Sequence, residues 1–145
     1  EKMSGVAIML IGTGTLAGII THSQLVDVFV HSLHQSRMSG FLLAPLSGIF
    51  MSAATASTTA GTAIASQVFH SSILGMGVSA LGGAAMIQAG ATVLDHLPHG
   101  SFFHATAGSV RMHTKERLML IPYETLIGLA LAAISTTIFA VFKIF

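Results

Sequence analysis

The strongest constraint in this sequence is its last long segment, Leu118 to Phe142, which is mostly apolar and carries one charged residue, Glu124. A helix needs about 20 apolar residues to cross a bilayer, and this segment is long enough. Of the 145 residues, 52% are hydrophobic and 8% are charged, whereas soluble domains average about 25% charged residues. The sequence therefore predicts an all-α integral membrane protein, with transmembrane helices and broken or re-entrant helical hairpin segments.

Composition also excludes several classes of function. The formal net charge is +1, which gives no electrostatic basis for binding nucleic acid. The chain has no cysteine, so disulfides, thiolate catalysis and cysteine-based metal sites are excluded. No G-x-S-x-G motif accompanies the serines, which argues against a serine hydrolase. We therefore expect neither an enzyme nor a bound cofactor or metal.

The whole chain, 1-145, is interpreted as a single membrane domain. Apolar sequence begins at Val6 without a signal peptide before it, and we expect a piece of a longer membrane protein that starts within its fold. Hydropathy and glycine content divide the chain into six predicted segments. These are a broken helix (5-20), an amphipathic helix at the membrane surface (22-39), a small, hydroxyl-rich re-entrant or broken helix (41-70), a transmembrane helix (73-94), a polar loop (95-117) and a transmembrane helix (118-142).

Two stretches rich in glycine and hydroxyl residues interrupt the apolar segments, "GTGTLAG" (12-18) and "AATASTTAGTAIAS" (53-66). Serine and threonine hydroxyls donate and accept hydrogen bonds without adding charge. Transporters build binding sites from broken helices of this kind, and helix N-termini there favour anions. The alternative is that these small residues only let helices pack closely.

Glu124 is the most informative single residue, because an ionisable group inside a membrane span is costly and is usually functional. Gly128, Ala132 and Ser135 share its helix face, so Glu124 is predicted to face other helices and to take up protons. The alternative is a structural ion pair with Arg117 or Lys115.

The predicted polar loop contains a cluster of acidic and histidine residues in "DHLPHGSFFH". Pro98 breaks any helical spacing of the histidines, and the pattern matches no zinc signature. Proton handling suits this cluster better, and the alternative is a solvated loop. Arg111, Lys115 and Arg117 place the loop on the cytoplasmic side by the positive-inside rule.

The predicted helix 73-94 carries small residues at four-residue intervals. These are Gly75, Ser79 and Gly83. Small residues on one face let a second helix approach closely in lipid, and this face is therefore predicted to be a packing surface.

Taken in order, these segments resemble the C-terminal part of the gluconate permease family, which includes the 3-hydroxybutyrate permeases. The resemblance is carried by "IGTGTLAGIITHSQLVDVF", "SAATASTTAGTAIAS", "GATVLDHLPHGSFF" and "HTKERLMLIPYETLIGL". In the third motif Gly100 follows His99 directly, whereas the hydroxybutyrate branch has one residue between them. The hydroxyl-rich stretch follows neither branch closely, which leaves the substrate open.

The resemblance implies the C-terminal portion of a multi-pass organic-anion:proton symporter in the bacterial cytoplasmic (inner) membrane. Its substrate would be a small hydroxy-carboxylate such as gluconate, or alternatively 3-hydroxybutyrate or another short-chain carboxylate. Substrate contacts are expected at Gly12, Thr13, Gly14, Thr15, Thr55, Ser57, Thr58 and Thr59. Proton coupling is expected at Glu124, or else at Asp95 and His99.

The expected partners follow from this interpretation. They are the organic anion, protons, the lipid bilayer, the N-terminal helices of the same protein and further copies in a homo-oligomer, with no nucleic acid. A rival of another class is a non-transporting membrane subunit that packs against and stabilises a partner. A membrane enzyme using the histidine loop is a third alternative.

Overall fold

The computed structural model describes residues 38–142 continuously, together with eight separate residues nearer the N-terminus. Those eight are all helical: Ile11, Thr15, Ile19, Gln24, Val28, His31, Ser32 and Gln35. Three of the residues predicted to contact substrate, Gly12, Thr13 and Gly14, lie outside the described residues. The predictions of a broken helix over 5-20 and of a surface helix over 22-39 stay predictions.

Residues 38–142 fold entirely into helices and their connections. The five helices are α1 (Gly40–Thr55), α2 (Thr58–Gly75), α3 (Ala80–Ala91), α4 (Ser101–Ser109) and α5 (Thr114–Phe142). The all-helical fold predicted from composition is confirmed for this part of the chain.

The hydroxyl-rich stretch contains the break between α1 and α2. Ala56 ends α1 in the left-handed conformation, with φ 52°. Ser57 then caps α2 by accepting a hydrogen bond from the Ala60 N–H at 3.3 Å, which is a normal way to begin a helix. The two helices run antiparallel, because a Cβ at Gly61 would lie 2.5 Å from the Ser52 nitrogen, next to the break. The segment 41-70 therefore contributes to a helical hairpin whose tip is at residues 56–57.

The backbones of α1 and α3 touch at two glycines. A Cβ at Gly48 would lie 2.1 Å from the Ile87 carbonyl oxygen, and one at Gly90 would lie 2.1 Å from that of Pro45. Only glycine permits this approach, which is the way small residues act in membrane helix packing. Because the start of α1 also lies against Val78, α1 and α3 run parallel and α2 runs antiparallel to both.

The prediction of one transmembrane helix over 73-94 is wrong. Helix α2 ends at Gly75, Gly77 adopts φ 82°, and Ser79 caps α3. Helix α3 has 12 residues, so it is about 18 Å long and too short to cross a bilayer alone. Gly75 and Ser79 therefore do not share a helix with Gly83. Gly83 packs against α2, since a Cβ there would lie 3.1 Å from Ile73 Cγ2, but the closest backbone contacts between helices are at other glycines.

The prediction of a polar loop over 95-117 is also incomplete, because α4 forms within it and α5 begins one turn before Leu118. Within the described part of the chain, α5 is the one helix long and apolar enough to cross a membrane. It has 29 residues, a length of about 43 Å. Only 11% of its most apolar window is buried, so most of its surface is available to lipid or to other protein.

The hydrophobic core lies between α1, α2 and α3. Its largest fully buried apolar side chains are Phe69, Leu43, Met51 and Met86. Helix α5 joins this core along α3, because a Cβ at Gly128 would lie 2.7 Å from the Val93 Cα and one at Gly82 would lie 3.1 Å from the Phe139 ring. The polar groups collect where the hairpin tip, the end of α3 and the first turns of α5 meet.

Candidate functional site

The turn that follows α3 packs onto the tip of the α1–α2 hairpin. Thr58 donates a hydrogen bond from Oγ1 to the Asp95 carboxylate, and His99 Nε2 lies 2.8 Å from the Ala53 carbonyl oxygen. Gly100 allows the contact to close, because a Cβ there would lie 3.0 Å from the Ala56 carbonyl oxygen. The "DHLPHG" turn therefore holds the two helix ends at the break in the hydroxyl-rich stretch.

His96 extends this connection to α5. Its Nδ1 lies 3.5 Å from Asp95 Oδ1, and its Nε2 lies 2.9 Å from the Thr125 hydroxyl. The residue is 2% exposed, and a buried imidazole needs a partner at each nitrogen. Thr58, Asp95, His96 and Thr125 thus form a continuous polar chain from the start of α2 to the helix that carries Glu124.

Glu124 pairs with a buried arginine. Arg117 Nη1 donates to Glu124 Oε2 at 2.6 Å, and Arg117 Nε donates to the Thr106 hydroxyl at 3.1 Å. The guanidinium lies 5.0 Å from the Phe103 ring centroid and 5.8 Å from that of Phe102, within the range of cation–π attraction. An ion pair with Arg117 is one of the two alternatives that the sequence left open for Glu124, and the structure contains this ion pair. The proton-coupling role of Glu124 stays a prediction.

An open pocket lies between the end of α3 and α5. It has a volume of about 220 Å³, and its polar wall is formed by Thr92, Asp95, His96 and Glu124. The rest of the lining is apolar, with Phe102, Ile127 and Leu131, and the last two follow Glu124 along the same face of α5. A small pocket with a few convergent polar groups on an apolar wall is typical of small-molecule sites.

The structure brings together three of the residues predicted from sequence to form the site. Asp95 and Glu124 line the pocket, and Thr58 is bonded to Asp95. His99 is nearby, but its ring is engaged with Ala53 and it does not line the pocket.

The other predicted substrate-binding hydroxyls have local roles. Thr55 is fully buried, and its hydroxyl lies 2.8 Å from the Met51 carbonyl oxygen. Ser57 caps α2, Thr59 is exposed, and Thr15 donates to the Ile11 carbonyl oxygen at 2.8 Å. Hydroxyls bound to their own backbone in this way stabilise the hairpin and are less free to hold a ligand.

Two residues were not assigned to the site from sequence, although the structure places them there. His96 was grouped with its loop neighbours, and Arg117 was treated as a topology charge or a structural partner. Their spacing held a usable signal, because residues seven apart, such as Arg117 and Glu124, lie on the same face of a helix.

Over residues 38–142 the structure is all-helical, with one helix long and apolar enough to cross a membrane. Its helices meet through glycines at backbone distance, and this class of structure is consistent with a membrane protein. The chain is similar to a protein of Haemophilus influenzae named "Uncharacterized transporter", with 63% identity over 143 residues. That match covers 99% of this chain and 34% of the relative, so the chain spans about a third of the length of the protein it matches. No family model matches the chain, and no solved structure matches it.

Proposed function

We propose that this chain forms part of a secondary active transporter that takes up a small hydroxy-carboxylate, such as gluconate, together with protons. The similarity to a protein named as a transporter supports a transport role. The observation that carries the finer proposal is the pocket lined by Asp95, His96 and Glu124, which adjoins the tip of a broken helical hairpin.

The polar wall of the pocket suits a substrate rich in hydroxyl groups. Ionised carboxylates only accept hydrogen bonds, so Asp95 and Glu124 can accept hydrogen bonds from the hydroxyl groups of a polyol or hydroxy acid. Thr92 and His96 line the same pocket, but the Thr92 hydroxyl donates to the Ala89 carbonyl oxygen and His96 Nε2 pairs with Thr125. The apolar lining residues Phe102, Ile127 and Leu131 can contact the carbon atoms of the substrate.

Charge balance supports proton coupling. With its carboxylates ionised and His96 neutral, the site around Asp95 and Glu124 contains two negative charges and the single positive charge of Arg117. An entering anion would be repelled, and an unpaired charge in a low-dielectric site is costly. Uptake of a proton by Glu124 or Asp95 removes that repulsion, and His96 offers a route between Asp95 and the hydroxyl of Thr125.

The hairpin tip supports the anion part of the proposal. The break at 56–57 places the start of α2, where backbone N–H groups favour negative charge, beside the "DHLPHG" turn. Asp95 is bonded to Thr58 at this point, so a substrate carboxylate and Asp95 would compete for the same region. Contacts at residues 12–15 from the N-terminal glycine-rich segment remain part of the proposal.

Transport of labelled substrate tests the proposal. The protein, produced from its complete coding sequence, is reconstituted into proteoliposomes and given radiolabelled gluconate or 3-hydroxybutyrate under an inward proton gradient. We expect accumulation of at least one substrate above its external concentration, and loss of that accumulation when a protonophore is added. Protein-free liposomes are the control. Absence of uptake for both acids would remove the transporter proposal and favour the packing subunit.

A further inference from the structure

We propose that Arg117 binds the carboxylate of the transported acid through its Nη2 group and that Glu124 competes for the same guanidinium. This inference rests on the proposed function and names the residue that recognises the anionic end of the substrate.

The first observation is an unpaired group on a buried cation. Arg117 is 1% exposed, yet its Nη2 has no hydrogen-bond partner among the described residues. Buried polar atoms are nearly always hydrogen-bonded, and an exception calls for an explanation. Nε and Nη1 are both occupied, by Thr106 and Glu124. Among the described residues, Nη2 is therefore the one guanidinium nitrogen without a partner, while the rest of the group is held in place.

The second observation is how rigidly the guanidinium is fixed. Phe102 and Phe103 lie against it at 5.8 and 5.0 Å, and Thr106 holds Nε. A planar guanidinium recognises carboxylates with two parallel hydrogen bonds. Glu124 accepts a single hydrogen bond, from Nη1 to one carboxylate oxygen. The second parallel hydrogen bond, which Nη2 could donate, is not made by Glu124. A substrate carboxylate could complete the pair of hydrogen bonds, either by binding Nη2 beside Glu124 or by replacing Glu124 on the guanidinium.

The third observation is that Glu124 lies between Arg117 and the pocket. Glu124 is 30% exposed and lines the pocket, whereas Arg117 is its ion-pair partner and is not among the lining residues. Any anion that approaches Arg117 from the pocket must therefore displace or share the Glu124 contact. Phe102 contributes to both the pocket wall and the Arg117 environment, which shows that the two are adjacent.

Replacement of the Glu124 carboxylate by the substrate carboxylate at Arg117 couples entry of the anion to uptake of a proton, and the net charge of the site stays the same. When the Glu124 carboxylate takes up one proton, its ion pair with Arg117 becomes a weaker hydrogen bond from the guanidinium cation to a neutral carboxyl group. The substrate monoanion then supplies the missing negative charge to the guanidinium. One proton and one anion enter together, and both leave when Glu124 pairs with Arg117 again. Asp95 and His96, from the turn before α4, face the same pocket, while His104 of α4 is bonded to the Pro98 carbonyl oxygen.

The experiment compares each acid with its neutral amide in counterflow exchange, which needs no proton gradient. Four variants of the complete protein are measured. They are Arg117→Lys, Arg117→Gln, the double variant Arg117→Gln/Glu124→Gln, and the control Lys115→Gln. The readout is the KM of gluconate relative to the inhibition constant of gluconamide, together with the amount of protein in the membrane. The Lys variant keeps the charge pair, and the double variant removes both charges, so neither leaves Glu124 facing an uncharged residue 117.

For the wild type and for Lys115→Gln we expect gluconate to bind more tightly than gluconamide by about 10-fold to 100-fold, the loss expected when a charge-assisted hydrogen bond is absent. In Arg117→Gln and in the double variant this preference should fall to within about threefold, because the KM of gluconate rises. Arg117→Lys should raise that KM about 10-fold, because lysine lacks the planar fork.

The two levels of the proposal fail in different ways. If the double variant reaches the wild-type amount in the membrane and keeps the wild-type preference for the acid, Arg117 is structural and this inference is wrong, although transport stands. If the wild type exchanges neither gluconate nor 3-hydroxybutyrate, the proposed function fails, and the inference fails with it.

Discussion

Thr58, the first residue of α2, donates its hydroxyl hydrogen bond to Asp95, which lies in the turn after α3. This bond joins the two parts of the chain that the sequence marked as unusual, the hydroxyl-rich stretch and the "DHLPHG" turn. It also places a carboxylate at the tip of the broken hairpin. Asp95 is therefore held by the hairpin on one side and faces the pocket on the other.

Thr58→Val should destabilise the protein, because valine keeps the shape but leaves the partly buried Asp95 carboxylate without its donor. We expect a loss of about 1–2 kcal/mol in folding free energy, seen as a lower melting temperature of the detergent-purified protein. Thr59→Val is the matched control at the next, exposed position, and should change stability by less than about 0.5 kcal/mol. Equal melting temperatures for the two variants would show that the Thr58–Asp95 bond does not stabilise the hairpin tip.

Gly48→Ala should be severely destabilising, because its new methyl would lie 2.1 Å from the Ile87 carbonyl oxygen. Overpacking against fixed backbone costs about 3 kcal/mol, so we expect a large fall in melting temperature or in the amount of folded protein. Gly75→Ala is the control, since nothing lies within 4 Å of its new Cβ, and it should be neutral or slightly stabilising. The reverse order of the two variants would contradict the α1–α3 packing.

His96 and Thr125 should be energetically coupled. In a double-mutant cycle with His96→Leu and Thr125→Val, we expect an interaction energy of about 1 kcal/mol, because each single change leaves the other group without its partner. Thr137→Val is the control, because Thr137 bonds within its own helix, to the Ala133 carbonyl oxygen. Its effect should add to that of His96→Leu. Additivity at Thr125 would mean that the polar chain does not reach α5.

The parts of the fold that depend on local composition could be predicted from the sequence. The apolar length of α5 and the interruption near Ser57 are properties of short stretches. The end of α2 had a local signal as well, since Gly75, Gly77 and the capping residue Ser79 occur together. The residues on both sides of Gly75–Ser79 are apolar, and their combined length favours one continuous helix over 73-94, which is the prediction that the structure corrects.

The site was harder to predict because its contacts join residues far apart in the chain. Glu124 is marked by its charge in an apolar segment and Asp95 by the neighbouring histidines of the predicted polar loop, and both are local signals. The burial of Arg117 depends on α4, and α4 forms in a stretch interpreted as a loop. Hydroxyl content also could not separate Thr58, which bonds Asp95, from Thr55, which bonds its own helix.

Glu124→Gln should separate proton coupling from substrate binding. Glutamine keeps an oxygen that can accept from Arg117 but cannot take up a proton in the physiological range. We therefore expect loss of gradient-driven accumulation, while exchange of internal for external gluconate continues with a KM equal to or below that of the wild type. The matched control is Gln88→Glu, which adds a carboxylate on the exposed side of α3 and should leave coupling intact. Accumulation by Glu124→Gln at the wild-type level would make Glu124 structural.

Proton entry with the substrate is the most direct measurement of the proposed symport. Proteoliposomes containing the complete wild-type protein and a trapped pH-sensitive dye are prepared with equal pH on both sides, and sodium gluconate is added outside. Proton-coupled uptake predicts acidification of the lumen on adding gluconate but not on adding sodium chloride, and no acidification with Glu124→Gln. Entry of labelled gluconate without a change in lumenal pH would contradict proton coupling.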